Sequence, residues 1–218
     1  MPQIFAPRAN TLARSVLLSL VLLPLAGLGL LSALPFTPYV TGQNVVINQP
    51  VPFSHEHHVG GLGIECRYCH TGVEHSRYAG LPPTETCMTC HSQIWTNAPM
   101  LAPVRQSLAE GRPIPWLRVN RLPDYVYFDH SIHVAKGVGC SSCHGAVERM
   151  PLMRQAAPLT MGWCLDCHRD PAQALRPEGE IYNTEWRAPP DQAARGQELI
   201  KHYLIKTDHL TDCSVCHR

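Results

Sequence analysis

Five copies of one short cysteine–histidine pattern account for every cysteine in this 218-residue chain. In each copy, two cysteines are separated by two residues, and a histidine directly follows the second one. The copies are CRYCH (66–70), CMTCH (87–91), CSSCH (140–144), CLDCH (164–168) and CSVCH (213–217). Two thiols at this spacing can add to the two vinyl groups of one porphyrin, and the adjacent histidine can then bind its iron. The pattern therefore predicts five covalently attached haem c groups.

Paired cysteines can also form a disulfide, a redox pair or a zinc site. None of these three alternatives needs a histidine directly after the second cysteine, and here a histidine follows in all five copies. The predicted thioether bonds involve Cys66, Cys69, Cys87, Cys90, Cys140, Cys143, Cys164, Cys167, Cys213 and Cys216. The predicted proximal iron ligands are His70, His91, His144, His168 and His217.

A longer pattern is repeated around these motifs. FSHEHH (53–58) precedes the first motif, and FDHSIH (128–133) precedes the third at nearly the same distance. Both contain an aromatic residue, one further residue and an H-x-x-H pair. A second attachment motif follows in each case. The chain therefore contains a duplicated two-haem module, with a fifth haem after it.

The H-x-x-H pairs are candidates for the second axial position of the irons. A histidine or methionine there gives a closed electron carrier, whereas an open position admits a substrate. We expect His55 and His130 to close the haem on the motif that follows each of them. On one helical turn, His58 and His133 project nearby and would reach a neighbouring haem. The alternative for all four is a solvated side chain.

Aligning the modules places HTGVEH (70–75) beside HGAVERM (144–150). His75 is thereby a candidate distal ligand. Met150 is a second candidate, because a methionine thioether can also bind haem iron. Met153 is the fallback, and core packing is the alternative for either methionine.

Three further histidines lie outside the repeated patterns. His209, four residues before Cys213, is another candidate ligand, and we expect His57 and His202 to be surface residues. The candidates are enough to close every iron, and no catalytic residue is predicted. The chain is therefore predicted to be an electron carrier and not an enzyme by itself.

An apolar segment lies ahead of the haem motifs. After Arg8 and Arg14 no charged residue occurs until Glu56. The run from Ser15 to Leu34 has about the 20 residues that a helix needs to cross a bilayer. The arginines before it predict a cytoplasmic N-terminus, with the haem domain on the periplasmic, outer face of the inner (cytoplasmic) membrane. A cleaved signal peptide is the alternative, although its apolar region is usually shorter.

Proline (20 residues) and glycine (15) are frequent and phenylalanine (4) is scarce, so we expect little sheet and a thin side-chain core around the porphyrins. The predicted fold is a mainly irregular and α-helical multihaem cytochrome c of c3/c7-like modules, with one N-terminal transmembrane helix. We expect a cytoplasmic stub and anchor over 1–37 and a haem domain over 38–218. Its two-haem modules lie at about 50–95 and 125–170, and its fifth haem lies at 205–218. The net charge of +1 gives no indication of a nucleic-acid partner.

Two long segments carry no haem motif and little periodicity, namely Ser92 to Tyr127 and Arg169 to Trp186. We expect them to provide docking surface for partner subunits. The alternative is a plain linker between modules.

The chain resembles a known family, the pentahaem cytochrome c subunit of bacterial alternative complex III, a quinol-oxidising membrane assembly. The resemblance rests on IFAPRANTLAR before the single anchor and on the FSHxxH–CxxCH opening. It also rests on the block PLTMGWCLDCHR (158–169) and on the C-terminal LTDCSVCHR. It covers essentially the whole chain.

The resemblance implies an electron-transfer subunit that lies against an iron–sulfur and molybdopterin-like periplasmic subunit and integral quinol-binding subunits. Electrons from the quinol would leave to a small periplasmic cytochrome, a copper protein or a terminal oxidase, or to a reaction centre in a phototroph. An autonomous membrane-anchored quinol dehydrogenase feeding a periplasmic reductase is the first alternative. A multihaem reductase with one open haem is the second.

Overall fold

The computed structural model describes residue 6 and residues 8–217, of which about half are helical. Ten α-helices lie within this part of the chain. They are α1 Ala9–Ala33, α2 Pro38–Thr41, α3 Cys66–Cys69, α4 Thr84–His91, α5 Ala102–Glu110, α6 His130–Ala135, α7 Cys140–His144, α8 Met161–Arg169, α9 Gln192–His202 and α10 Cys213–Cys216.

Short turns supplement these helices, and the described residues form no β-strand. A π-helical turn spans Glu56–Gly61. The 3₁₀ turns are Leu34–Phe36, Pro99–Leu101, Val147–Arg149, Pro171–Gln173, Glu178–Glu180 and Thr207–His209. Sheet-like pairing is limited to isolated bridges such as Val126 with His217. The expectation of a helical and irregular fold is confirmed.

The N-terminal compact unit, Met1–Gly42, is built on α1. This 25-residue helix starts at Ala9, ahead of the apolar run at Ser15, because Asn10 to Arg14 contain no helix breaker. Among the described residues it is the helix that is long and apolar enough to cross a membrane. Pro24 lies within it, as is tolerated in membrane helices.

In the second compact unit, Gln43–Arg218, every attachment motif lies on a short helix. Helices α3, α4, α7, α8 and α10 each contain the two cysteines of one copy. Thr160 begins α8 as an N-cap, since its side chain accepts a hydrogen bond from the Trp163 backbone N–H. One helical turn is what brings two cysteines three positions apart onto the same side of the backbone.

The segment after the second motif forms a small side-chain core. Val51, Leu101, Val104 and Ile114 are buried together, and the partly buried residues packed on them are Cys87, Met88, Ala98 and Trp116. A hydrogen bond of 2.6 Å between the hydroxyls of Thr84 and Ser107 joins α4 to α5. The part of this segment around α5 is therefore packed against the helix of the second haem motif.

A second close contact holds α9 against the Pro171–Gln173 turn. Gly196 faces the Ala172 backbone so closely that a Cβ would overlap it. On the same helix, Gln192 Nε2 donates to the carbonyls of Ala172 (2.8 Å) and Leu175 (2.9 Å). The amide therefore satisfies two carbonyls that the buried turn leaves unpaired.

Candidate haem sites

The first H-x-x-H pair is organised by Phe53. Its ring stacks on His58, with centroids 4.3 Å apart, and meets His55 edge-on at 4.9 Å. The Ser54 hydroxyl accepts a hydrogen bond from the His57 backbone N–H, which starts the π-helical turn. The two histidine rings are thereby held in different directions by one aromatic side chain.

The second pair repeats this arrangement closely. Phe128 stacks on His133 at 4.4 Å and meets His130 edge-on at 4.8 Å. Here Asp129 caps α6 by accepting from the Ile132 backbone N–H. The two Phe and H-x-x-H groups therefore have the same side-chain arrangement.

Each of these four histidines faces the histidine of an attachment motif. The rings of His55 and His70 are 6.4 Å apart and parallel within 1°, and those of His130 and His144 are 6.3 Å apart and parallel within 4°. The two remaining facing pairs are His58 with His91 (6.2 Å) and His133 with His168 (6.1 Å).

This spacing tests whether the residues fit a haem iron. Imidazole nitrogens bind a metal at about 2.0 Å, which places two trans imidazole rings on one metal with centroids about 6 Å apart. All four pairs have this separation, and each contains one histidine that directly follows a Cys-x-x-Cys pair. The described residues therefore provide four pairs of histidines whose spacing would suit the iron of a haem c.

Hydrogen bonds at Nδ1 leave the other ring nitrogen free for a metal. Backbone carbonyls lie 2.7–2.8 Å from Nδ1 of five of the histidines, namely His58, His70, His130, His133 and His168. A donor bond from Nδ1–H selects the tautomer whose Nε2 lone pair is available to a metal. The same contacts fix the plane of each ring.

Weaker contacts of the same kind hold two other motif histidines. Nδ1 of His91 and Nδ1 of His217 each lie 3.3 Å from a backbone carbonyl. His144 differs, because Nδ2 of Asn120, which is an N–H donor, lies 3.2 Å from its Nδ1. Asn120 was not identified from sequence, because no motif marks it.

Burial keeps two of the facing histidines neutral. It lowers the pKa of His55 to about 4, with smaller contributions from His70, His58 and His144. It likewise lowers the pKa of His144 to about 4, with contributions from His130 and His70. Burial also lowers the pKa of His133. Neutral imidazole is the form that binds a metal.

The other predicted ligands are not in facing pairs among the described residues. His75 is exposed and lines a cavity of about 740 Å³ with Glu74 and Tyr182. His209 has a side chain that is 70% exposed, and its ring nitrogens face Asp208 (3.2 Å) and Asp212 (3.0 Å). Their roles as ligands stay predictions.

Met150 is only 1% exposed, and its backbone carbonyl accepts from the Glu56 N–H. It therefore connects the second module to the π-helical turn of the first. His57 is exposed and stacks on Trp95 at 6.1 Å. His202 is exposed and contacts Tyr203.

The cysteines show which motifs are neighbours. A hydrogen bond between Cys66 and Cys140 lowers the pKa of the first thiol and raises that of the second. Burial raises the pKa of Cys69, and the nearby Cys87 adds to the rise. The first motif is therefore next to both the second and the third.

The row continues on the other side of the third motif. Burial raises the pKa of Cys143 to about 12, with contributions from Cys167 and Cys164. Burial raises the pKa of Cys164, with a contribution from Cys216. The motifs thus follow one another in space as second, first, third, fourth and fifth.

Residues 126–218, which contain the third, fourth and fifth motifs, match the family model described as cytochrome c7 and related cytochrome c. This part of the chain is therefore similar to the c7-type cytochromes c. Cytochromes c carry covalently attached haem, which transfers electrons.

A curated relative supports the same reading. The menaquinone reductase multihaem cytochrome c subunit of Nitratidesulfovibrio vulgaris is 39% identical over 102 residues, which are 46% of this chain and 48% of the relative. The chain thus matches about half the length of that relative. The chain is thus similar over these residues to a protein named as a multihaem cytochrome c subunit of a menaquinone reductase.

Proposed function

We propose that this chain is a five-haem electron-transfer subunit of a quinol-oxidising membrane complex of the alternative complex III type. The observation that carries the proposal is the set of four facing histidine pairs, each of which would close one haem iron. A haem c held in this way supplies reversible one-electron transfer and offers no open position for a substrate. The fifth motif, CSVCH, adds the last haem of the row.

The proposed ligand assignments follow the facing rings. The haem on Cys66 and Cys69 would be held by His70 and His55, and the haem on Cys140 and Cys143 by His144 and His130. His58 would close the haem of His91, and His133 would close the haem of His168. His217 would hold the fifth haem, whose second ligand would be chosen from His75, His209 and Met150.

The spatial order of the motifs supports the role of a conductor. A row whose ends are the second and fifth motifs has one terminus for each electron partner. Neighbouring cysteines are close enough to influence one another's charge at every step of the row. Electrons would enter at one end and leave at the other.

The proposed location is the outer face of the inner membrane, with α1 as the anchor. The length and composition of α1 support a membrane span, and Arg8 and Arg14, which precede its apolar run, support this orientation. The proposed partners are an iron–sulfur and molybdopterin-like subunit and integral quinol-binding subunits. The acceptor would be a small periplasmic cytochrome, a copper protein or a terminal oxidase.

Purification of the membrane complex in mild detergent tests the proposal. We expect a multisubunit assembly in which quinol reduces the haems of this chain, and a mass of the chain that includes five haem groups. Recovery of a lone subunit that oxidises quinol by itself would instead identify an autonomous quinol dehydrogenase. A high-spin haem that binds nitrite would contradict the proposal and indicate a reductase.

Substitution of a predicted ligand tests the site. The variant H130A should turn one haem high-spin while the chain keeps five covalent haems, because the attachment residues are unchanged. H57A is the matched control, since His57 is exposed and faces no proximal histidine. An unchanged spectrum of H130A would show that His130 is not an iron ligand.

The relative supports a second candidate, in which electrons run towards the quinone. Its name, menaquinone reductase, describes quinone reduction. The two directions differ in a simple assay on the purified complex. Quinol-dependent reduction of an added cytochrome supports quinol oxidation, whereas quinone consumption with a reduced cytochrome as donor supports quinone reduction.

A further inference from the structure

Arg176 is a buried cation that follows the Pro171–Gln173 turn, and it lies against the third haem motif. The residue is only 3% exposed. Its Nη2 donates to the hydroxyl of Ser141 at 2.8 Å and to that of Ser142 at 3.2 Å. These two serines are the residues between Cys140 and Cys143, so the guanidinium is bound to the segment that carries the haem.

The remaining contacts of this guanidinium leave its charge unpaired. Its Nη1 donates to the Asn183 carbonyl at 3.0 Å. The guanidinium carbon, Cζ, lies 4.5 Å from the centroid of the Trp186 ring. Its Nε is buried and has no hydrogen-bond partner in the described part of the chain. The nearby Glu180 carboxylate accepts instead from Asn183 Nδ2 at 2.6 Å.

The backbone around Arg176 holds the side chain in one place. Its N–H donates to the Gly137 carbonyl, and its carbonyl accepts from the Tyr203 hydroxyl, each at 2.8 Å. Gly139, directly before Cys140, leaves the space that the guanidinium fills, because a Cβ there would overlap it. The charge is therefore fixed and does not move with solvent.

The first module has no such charge at the equivalent place. Its motif contains Arg67, whose side chain is 47% exposed. Arg67 also forms ion pairs with Glu65 at 2.7 Å and Glu74 at 3.3 Å. A paired charge in water has little effect on its surroundings, whereas an unpaired charge at a buried site acts strongly.

We propose that Arg176 is a positioning residue that raises the reduction potential of the haem attached to Cys140 and Cys143. The inference rests on the proposed haem at this motif. An arginine stays protonated even when it is buried. A fixed positive charge stabilises the reduced haem, because reduction removes one positive charge from the iron. The motif at the centre of the row would thereby hold a higher-potential haem than its counterpart at Cys66 and Cys69.

A redox titration of the intact protein, followed by the haem absorbance, tests the inference. The variant R176Q removes the charge and keeps hydrogen-bonding groups. We expect the equilibrium constant for reducing one haem to fall about tenfold, which corresponds to about 59 mV for one electron. R176K should keep most of the wild-type potential. R67Q, at the exposed arginine, is the matched control and should change no potential by a comparable amount.

A second variant keeps the inference testable where R176Q does not accumulate. W186E leaves Arg176 in place and offers its guanidinium a carboxylate, so it should also lower the potential of one haem, whereas W186Q should not. Unchanged potentials in R176Q or W186E, with all haems attached, would overturn the inference. The mass of the wild-type chain gives its haem count. A chain without haem at Cys140 would contradict the proposed function, whereas unchanged potentials in a chain with all its haems would contradict this inference alone.

Discussion

At the scale of single residues, most of the facing histidine rings are oriented by a backbone carbonyl behind them. In five of them a backbone carbonyl lies 2.7–2.8 Å from Nδ1. Because every residue type has this carbonyl, substituting the residue that carries it does not remove the acceptor. His144 differs, because its Nδ1 faces the Asn120 side chain. The orientation of this one ring therefore depends on the identity of a distant residue.

The pH dependence of stability follows from the buried histidines. The unfolded chain takes up protons on these rings below about pH 6.5, whereas folded His55 and His144 have pKa values of about 4. The stability that depends on these neutral rings is complete above pH 6.5 and is lost as the pH falls towards 4. Urea unfolding would measure this loss of stability. The free energy of unfolding would be compared at about pH 7.0, 5.5 and 4.5, which span the range between the unfolded and the folded pKa of these rings.

His202 provides the control for this experiment, because it is exposed and is not among the candidate iron ligands. The variant H202A should show the same loss of stability with pH as the unmodified protein. Equal free energies of unfolding at neutral and acidic pH would contradict the prediction. A loss of stability on raising the pH would contradict its sign.

The repeated pattern was sufficient to predict four of the facing histidines. His55, His58, His130 and His133 could be chosen because two copies of one pattern identify the positions that recur. His209 lies outside the repeated pattern, so no second copy identifies it. The sequence alignment places His75 beside Met150, but in the structure His75 is exposed and Met150 is buried. Burial depends on the packing of distant segments, which a local repeat does not contain.

At the scale of elements, the close contact of α9 with the Pro171–Gln173 turn can be tested with G196A. An alanine Cβ would overlap the Ala172 backbone, so the helix must shift. Overpacking of this kind costs about 1–3 kcal/mol, partly offset by the better helix propensity of alanine, which is worth about 1 kcal/mol. Thermal unfolding should show a lower midpoint for G196A.

Gly179 is the matched control, because a Cβ there meets no atom within 4 Å. G179A should unfold at the temperature of the unmodified protein or slightly above it. If G196A were as stable as G179A, α9 would not be packed on this turn.

Elements built from haem motifs were easier to predict than those between them. The attachment chemistry requires a helical turn at each Cys-x-x-Cys pair, and all five are found on short helices. By contrast, α5 and its core around Val104 lie in a segment expected to be docking surface or linker. Its apolar positions are spread over Val51, Leu101 and Ile114, and only tertiary contact shows that they belong together.

At the scale of the whole molecule, residues 1–42 and 43–218 are separate compact units. Replacing residues 1–42 by a cleavable export signal should therefore move the cytochrome from the membrane fraction to the periplasmic extract. All five attachment motifs remain in such a chain, so its mass should still include five haems. Coexpression with and without the other subunits of the complex would show whether they also hold it at the membrane.

A chain that stayed with the membrane in the absence of other subunits would contradict the anchor role of α1. Loss of haem from the shortened chain would show that the second unit does not fold by itself.

Neither the separation of the units nor the order of the motifs in space follows from composition. The order in particular differs from the order along the chain, because the first motif contacts the third.

That contact has a consequence for how the molecule is built. Cys66 and Cys140 are corresponding residues of the two modules, and their side chains are close enough to shift each other's pKa. His70 and His144, which also correspond, are close enough to influence one another's charge. A contact between corresponding residues is the mark of a twofold axis, as in a homodimer with an isologous interface. The four haems of the two modules would then have the same order when followed from either end. A single module made alone would expose the surface that contacts the other module, so two copies of it would associate through that surface.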